Sequence, residues 1–249
     1  MALTLDRTRI AGPEAVGVAG LSRAEHREAA IAGRLTARLD RAEREARERL
    51  SAAGIAAHQI SRLDGDIAAD LPPLALGHDL VVLSNALRRR ADSDDLDVDL
   101  ALNVAELVRA VPRPFLLADR VPLDPAGPVA VAYDGGRPAA RALHLACLLG
   151  LLDGREVHVL TAAEDPQAAH RTAAAACALP ALHGAPTATP HALAPDGDPA
   201  AAIAAALATL RPSLLVMGAF GERSLAEWLF GSTTRHLIER AAPALFLSA

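Results

Sequence analysis

The chain has 249 residues, 51% of them hydrophobic but only 2% aromatic, and a formal net charge of −5. That length suits one large domain or two of ordinary size, with a core packed from Ala, Leu, Val and Ile. The acidic balance, the scarcity of aromatic platforms and the lack of any basic tract longer than Arg88-Arg89-Arg90 speak against a nucleic-acid partner. The absence of lysine excludes a Walker-type phosphate loop, a protein-kinase ATP site and a Schiff-base enzyme.

The N-terminal ten residues carry Asp6, Arg7 and Arg9 and lack the apolar stretch of a signal peptide. Ala2–Leu5 and Ala15–Ala19 read as weak strands. A long helix with alternating Glu and Arg follows, from about Ala24 to Ala53, as a solvated outer layer. Asp79–Ser84 reads as a strand, Glu106–Ala110 as a helix and Pro114–Leu117 as a short apolar strand. Between these lie Asp92, Asp94, Asp95, Asp97 and Asp99, with no EF-hand spacing and no turn glycine, so a solvated acidic loop is expected there and no metal site. The segment around Arg120–Gly127, with two prolines, a glycine and charges, marks a boundary between residues 1–124 and 125–249.

The second half alternates strand and helix. Pro128–Asp134, Val157–Thr161, a weaker segment within Ala185–Ala194, Leu214–Met217 and Ala244–Leu247 read as strands. Arg137–Leu152, Pro166–Leu179, Pro199–Leu210 and Thr234–Ala241 read as helices, with Asp198 as a cap. That rhythm implies βαβ units and a mostly parallel sheet. About 130 residues separate similar helix, proline turn and strand segments in the two halves, which predicts a tandem duplication. No stretch is uncharged, proline-free and long enough to span a bilayer, so a soluble cytoplasmic protein is expected. Cys147 and Cys177 sit in apolar runs and read as buried thiols. His144 and His158 read as core or boundary residues, and His183 and His191 fall in an expected loop where they could meet. No serine-hydrolase elbow occurs, and no catalytic residue is assigned.

The chemistry concentrates where the fourth of these strands ends. Gly218 and Gly221, then Gly231, Ser232, Thr233 and Thr234, place a glycine loop between a buried strand and a helix N-terminus. Such a loop lets backbone N–H groups approach a phosphate, and the helix dipole favours negative charge there. The first strand ends in Asp134-Gly135-Gly136. If the first and fourth strands are neighbours, Asp134 faces the glycine loop across a topological switch point and can accept hydrogen bonds from ribose hydroxyls.

These residues resemble the universal stress protein family. Gly218, Gly221, Gly231 and Ser232 satisfy its ATP-binding signature without insertion or gap, and Val131–Gly136 is similar to its first strand with the ribose-contacting acid. The resemblance covers about Gly127–Ala249 well and the first half in degenerate form. It implies a Rossmann-like five-stranded sheet in the order 3-2-1-4-5 and a nucleotide held by Asp134, Gly135, Gly218, Phe220, Gly221, Gly231, Ser232, Thr233 and Thr234. It also places adenine against the backbone of Ala162. The implied cofactor is ATP, ADP or AMP, with or without Mg²⁺. Family members pair through their fifth strands, so the first half is expected as a built-in pseudo-dimer partner, and homodimers are compatible. Two positions depart from the family: Phe220 stands where a polar residue is common, and Thr233 where an aliphatic one is usual. Three functions stay open on this reading. The first is a nucleotide-binding stress regulator that reports to a protein partner. The second is an enzyme of slow ATP hydrolysis or adenylate chemistry, and the third an interaction module with a vestigial site.

Overall fold

The computed structural model describes residues 2–5, 18–64, 67–84, 104–118, 124–219 and 244–249. The chain divides into two compact units, 1–73 with 94–100 and 74–93 with 101–249.

In the smaller unit, β1 (Ala2–Leu5) pairs in parallel with β2 (Ser61–Asp64), Ala2 opposite Ser61 and Leu5 opposite Asp64. Between them runs α1 (Val18–Ala52). This helix begins at Val18, so the strand expected over 15–19 gives way to helix there, Ala19, Leu21 and Arg23 being good helix formers that continue the run toward the N-terminus. Glu43 on α1 receives Arg47 at 2.7 Å and Arg62 of β2 at 2.6 Å, and Arg62 also reaches Asp40 at 2.7 Å. Arg47, then Arg62, hold the Glu43 carboxyl below its ordinary range. Solvent screens these pairs, so their main effect is to set β2 against α1 rather than to add much stability. α2 (Ile67–Ala75) starts in this unit and ends in the other. Neither β2 nor α2 carries a periodic signal in the sequence: Ser61–Asp64 shows no apolar alternation, and Pro72-Pro73 inside α2 has the signature of a turn.

The larger unit is built on one sheet. β3 (Val81–Ser84), α3 (Val104–Ala110) and β4 (Phe115–Ala118) come first. They are followed by β5 (Val129–Ala132), α4 (Arg137–Leu148), β6 (Glu156–Ala162), α5 (Pro166–Leu182), β7 (Thr187–Leu193), α6 (Pro199–Leu210), β8 (Leu214–Gly218) and β9 (Ala244–Ser248). The strand order is β3-β4-β9-β8-β5-β6-β7, parallel throughout except where β4 meets β9. Counted from β5, the last five strands lie in the order 3-2-1-4-5. The sheet does not stop at the five expected strands. β9 is buried along its whole length, so its outer edge needs partners for its N–H and C=O groups, and β4 supplies them with Phe115 opposite Leu247 and Ala118 opposite Ala244.

Residues of alternate parity line the two faces. Val129, Val131, Val157, Val159, Leu214, Val216 and Phe246 pack with Ala142, Leu143 and Ala146 of α4 and with Ala173 and Ala176 of α5. The intervening residues, such as Leu160, Leu215 and Leu247, are equally buried on the other face, where α6 brings Ile203 and Leu207. Small alanines let α4 and α5 sit close to the β-branched strands, which is how a core with so few aromatic rings reaches close packing. Asp165 caps α5 through the Gln167 N–H at 2.8 Å, and Asp198 caps α6 through the Ala200 and Ala201 N–H groups at 2.9 and 3.3 Å.

At the N-terminal end of the sheet, Arg155 is buried, only 4% exposed. Its guanidinium donates to Gly127 O at 2.8 Å, to Leu151 O at 3.0 Å and to Ser213 Oγ, tying the turns before β5 and β8 to the loop after α4. Burial pulls its pKa below the ordinary arginine value, against the opposing pull of Asp124. Arg155→Met should lower stability by about 3 kcal/mol, because buried acceptors lose their donors. Urea unfolding measures this, and an unchanged midpoint would contradict the assignment.

Candidate functional site

β5 and β8 are hydrogen-bonded neighbours, Ala132 opposite Met217, so the turn after β5 and the turn after β8 leave the sheet side by side. β6 flanks β5 on its other side. The chain proceeds outward from β5 through β6 to β7 and then returns to β8, so the connections diverge between β5 and β8. In open parallel sheets this is where a crevice forms at the strands' C-terminal ends.

Asp134 occupies that end of β5 and is exposed. Its Oδ1 accepts the Gly136 N–H at 2.7 Å, which fixes the carboxylate at the rim. Gly135 between them adopts φ +81°, a conformation that favours glycine, while a Cβ on Gly136 would lie 2.9 Å from Asp134 Oδ1. The Thr161 hydroxyl on β6 donates to Tyr133 O at 2.7 Å and so braces the residue before Asp134 from the neighbouring strand. Nothing in the residue pattern signals this role, because one threonine in a mostly apolar run reads as strand filler. The Tyr133 phenol titrates above its ordinary range, chiefly through burial and secondarily through the adjacent Asp134 charge.

The turn also starts α4. Its N-cap is Gly136, which offers the first-turn N–H groups no side-chain acceptor, and Pro138 follows in the first turn. That turn presses on the end of β8: a Cβ on Gly218 would stand 2.4 Å from Ala139 N and 2.4 Å from the Pro138 carbonyl carbon. Gly218 therefore has a packing reason to be glycine, separate from any ligand. The next residue, Ala219, is buried, and its N–H donates to Ser248 O on β9 at 2.7 Å.

Asp134, Gly135 and Gly218 thus belong to one end of two adjacent strands, and Ala162 ends β6 on the far side of β5. Phe220, Gly221, Gly231, Ser232, Thr233 and Thr234, with the helix expected over 234–241, lie outside the described residues. Where β6 leads into α5, Pro166, Gln167, His170 and Arg171 line an open depression of about 330 Å³.

Other candidates resolve differently. His183 closes the C-terminus of α5, and His191 lies inside β7, not in a loop. The two do not meet. His191 Nε2 instead stands 3.1 Å from His158 Nδ1 on β6. Burial, with a smaller contribution from Asp153, pushes the Cys147 thiol up to about 11, and burial also raises Cys177, so neither is a poised thiolate at neutral pH. Among the described residues, no group of three or more His, Cys, Asp or Glu is placed to hold a metal ion. No described helix is long and apolar enough to cross a membrane.

Residues 126–243 match the model of the universal stress protein family. The C-terminal half is a universal stress protein domain. A universal stress protein from Archaeoglobus fulgidus DSM 4304 is similar in structure, with a TM-score of 0.64 and 22% identity over 87% of this chain and 77% of that one. A second universal stress protein from Archaeoglobus fulgidus matches 49% of this chain and 97% of its own at 22% identity and TM-score 0.37. A universal stress protein solved in complex with cAMP matches 51% of this chain and 99% of its own at 17% identity and TM-score 0.39. No curated protein matches the chain. The likeness to the first of these structures supports the fold.

Proposed function

We propose that the universal stress protein domain binds an adenine nucleotide, ATP foremost, on the rim formed by the C-terminal ends of β5, β6 and β8, as a regulatory ligand. The observation that carries this reading is the placement of Asp134. It is an exposed carboxylate fixed beside the strand-order switch, next to a helix N-terminus without a side-chain cap and next to the strand that leads into the glycine signature. Asp134 Oδ2 is left to accept a ribose hydroxyl. The α4 amides and the glycine signature from Gly218 to Thr234 are assigned to the phosphates, and Ala162 to adenine. Mg²⁺ would accompany the phosphates as solvated companion, without a protein cage. Binding shifts a population that a protein partner reads in the cytoplasm.

The same reading treats residues 1–124 as a degenerate repeat and 125–249 as the binding repeat. It is supported by the antiparallel pairing of β4 with β9, each the last strand of its half, which resembles a dimer seam drawn within one chain.

Isothermal titration of ligand-free protein with ATP tests the proposal. Asp134→Ala should weaken binding roughly 10- to 100-fold, the worth of a hydrogen bond to a charged group. Asp134→Asn keeps an acceptor for the Gly136 N–H and so separates loss of charge from loss of the turn. No heat with ATP, ADP or AMP, or equal affinity in Asp134→Ala, would overturn the reading.

A further inference from the structure

We propose that His158 and His191 form a proton-operated latch that fastens the edge strand β7 to β6 beside the outer wall of the candidate nucleotide site. The two side chains project from adjacent parallel strands toward the face covered by α6. His158 stands opposite Thr189, and His191 opposite Leu160. His158 Nδ1 and His191 Nε2 are 3.1 Å apart, with ring centroids separated by 5.2 Å and planes inclined at 57°. That separation is a hydrogen bond, so a single proton lies between the two nitrogens.

The surroundings make this contact sensitive to a second proton. His158 is 8% exposed. Its Nε2 faces Glu156 at 3.5 Å, which favours a hydrogen on that nitrogen and leaves Nδ1 to accept from His191. Ala130 of β5 lies opposite His158, and α6 carries no titratable side chain from Pro199 to Leu210. Glu156 is the carboxylate that meets the pair, from the exposed start of β6. The first proton can enter at His191 Nδ1 and leave the bond intact. The second places an N–H against an N–H and two positive charges at contact distance beneath an apolar helix, so the pair must separate. Burial, and next the neighbouring His158, lower the His191 pKa, in keeping with that barrier.

The register carries the effect to the rim. Two residues beyond the Leu160–His191 pair, Ala162 stands opposite Leu193, and the Ala163 N–H donates to Leu193 O at 3.3 Å as the last bond of the β6–β7 ladder. Opening the latch loosens β7 next to the backbone assigned to adenine. This consequence rests on the proposed nucleotide site; the latch itself does not.

Hydrogen exchange of the whole chain at pH 7.5 and pH 5.0 tests the latch directly. The closed pair holds one proton fewer than two separated rings take up in acid, so closure is fully favoured at neutral pH and loses ground as pH falls below the ordinary histidine value of about 6.5. Protection of the Ala163 amide should fall about tenfold between the two pH values in the native chain and less than about twofold in His191→Gln, the factor of ten being the usual worth of one hydrogen bond. ATP affinity should fall over the same interval in the native chain only. Unchanged protection overturns the latch. Lost protection without ATP binding at either pH leaves the latch standing and removes the nucleotide reading. Should His191→Gln fail to fold, imidazole NMR titration of the native chain decides. One ring remaining neutral at pH 5.0 supports the latch, and two independent titrations near the ordinary value refute it.

Discussion

Gly218→Ala should lose about 3 kcal/mol of stability, the upper end of what forcing one extra methyl into a packed site costs. The added carbon would stand 2.4 Å from two backbone atoms of α4, Ala139 N and the Pro138 carbonyl carbon, and backbone cannot rotate aside as a flexible side chain can. Either α4 lifts from the sheet or β8 bends. In thermal unfolding this corresponds to a fall of roughly 6–12 °C in Tm for a domain of this size. A Tm within about one degree of the native value would show that α4 is not seated on β8 as described. The same geometry decides how the candidate site should be probed. A bulky residue at 218 would disturb strand and helix together and so confound loss of ligand with loss of fold. Asp134 is the cleaner probe, because its one described hydrogen bond is to the Gly136 N–H and Asn can reproduce it.

Phe246→Ala should cost about 3–5 kcal/mol, the usual range for removing a buried phenyl group from a core. Phe246 has no exposed surface and lies on β9, in the cluster that joins the strands of the parallel block to α4 and α5. Its neighbours there include alanines, whose short side chains cannot swing into the vacated volume, so the cavity persists. Urea unfolding should show a lower midpoint with an unchanged slope. Leu182→Ala, at a position 83% exposed on α5, should stay within about 0.5 kcal/mol of native and serves as the control.

Much of the larger unit was legible from local chemistry. Short, mostly apolar runs mark β5, β6, β8 and β9, and Asp165 and Asp198 stand where caps are needed. The neighbouring positions of β5 and β8, on which the site reading depended, stood as a condition in the pattern of strands and helices and were implied only by the family resemblance; the structure pairs them. What escaped was set at a distance along the chain. The seam between β4 and β9 depends on how two edges meet, and only the resemblance pointed to it. β2 pairs with β1 over a polar segment whose pattern marks no strand. The contact between His158 and His191 needs the β6–β7 register, which no spacing within either strand reveals. Gly218 illustrates a different gap. The sequence suggested a reason for its missing side chain in ligand approach, and the structure adds another in the approach of α4. Six of the ten site positions, Phe220, Gly221 and Gly231 to Thr234, lie outside the described residues, so the nucleotide reading rests on the half of the rim built by β5, β6 and the end of β8.

Pro190 sits in the middle of β7, opposite Val159. Leu193 O turns inward to the Ala163 N–H, so by alternation the backbone groups of Ala188, Pro190 and Ala192 turn away from β6. Pro190 has no hydrogen to donate on that free side. A foreign strand docking there would meet a gap in the donor row at its centre, and fibrillar stacking of molecules along this border is discouraged by a single ring.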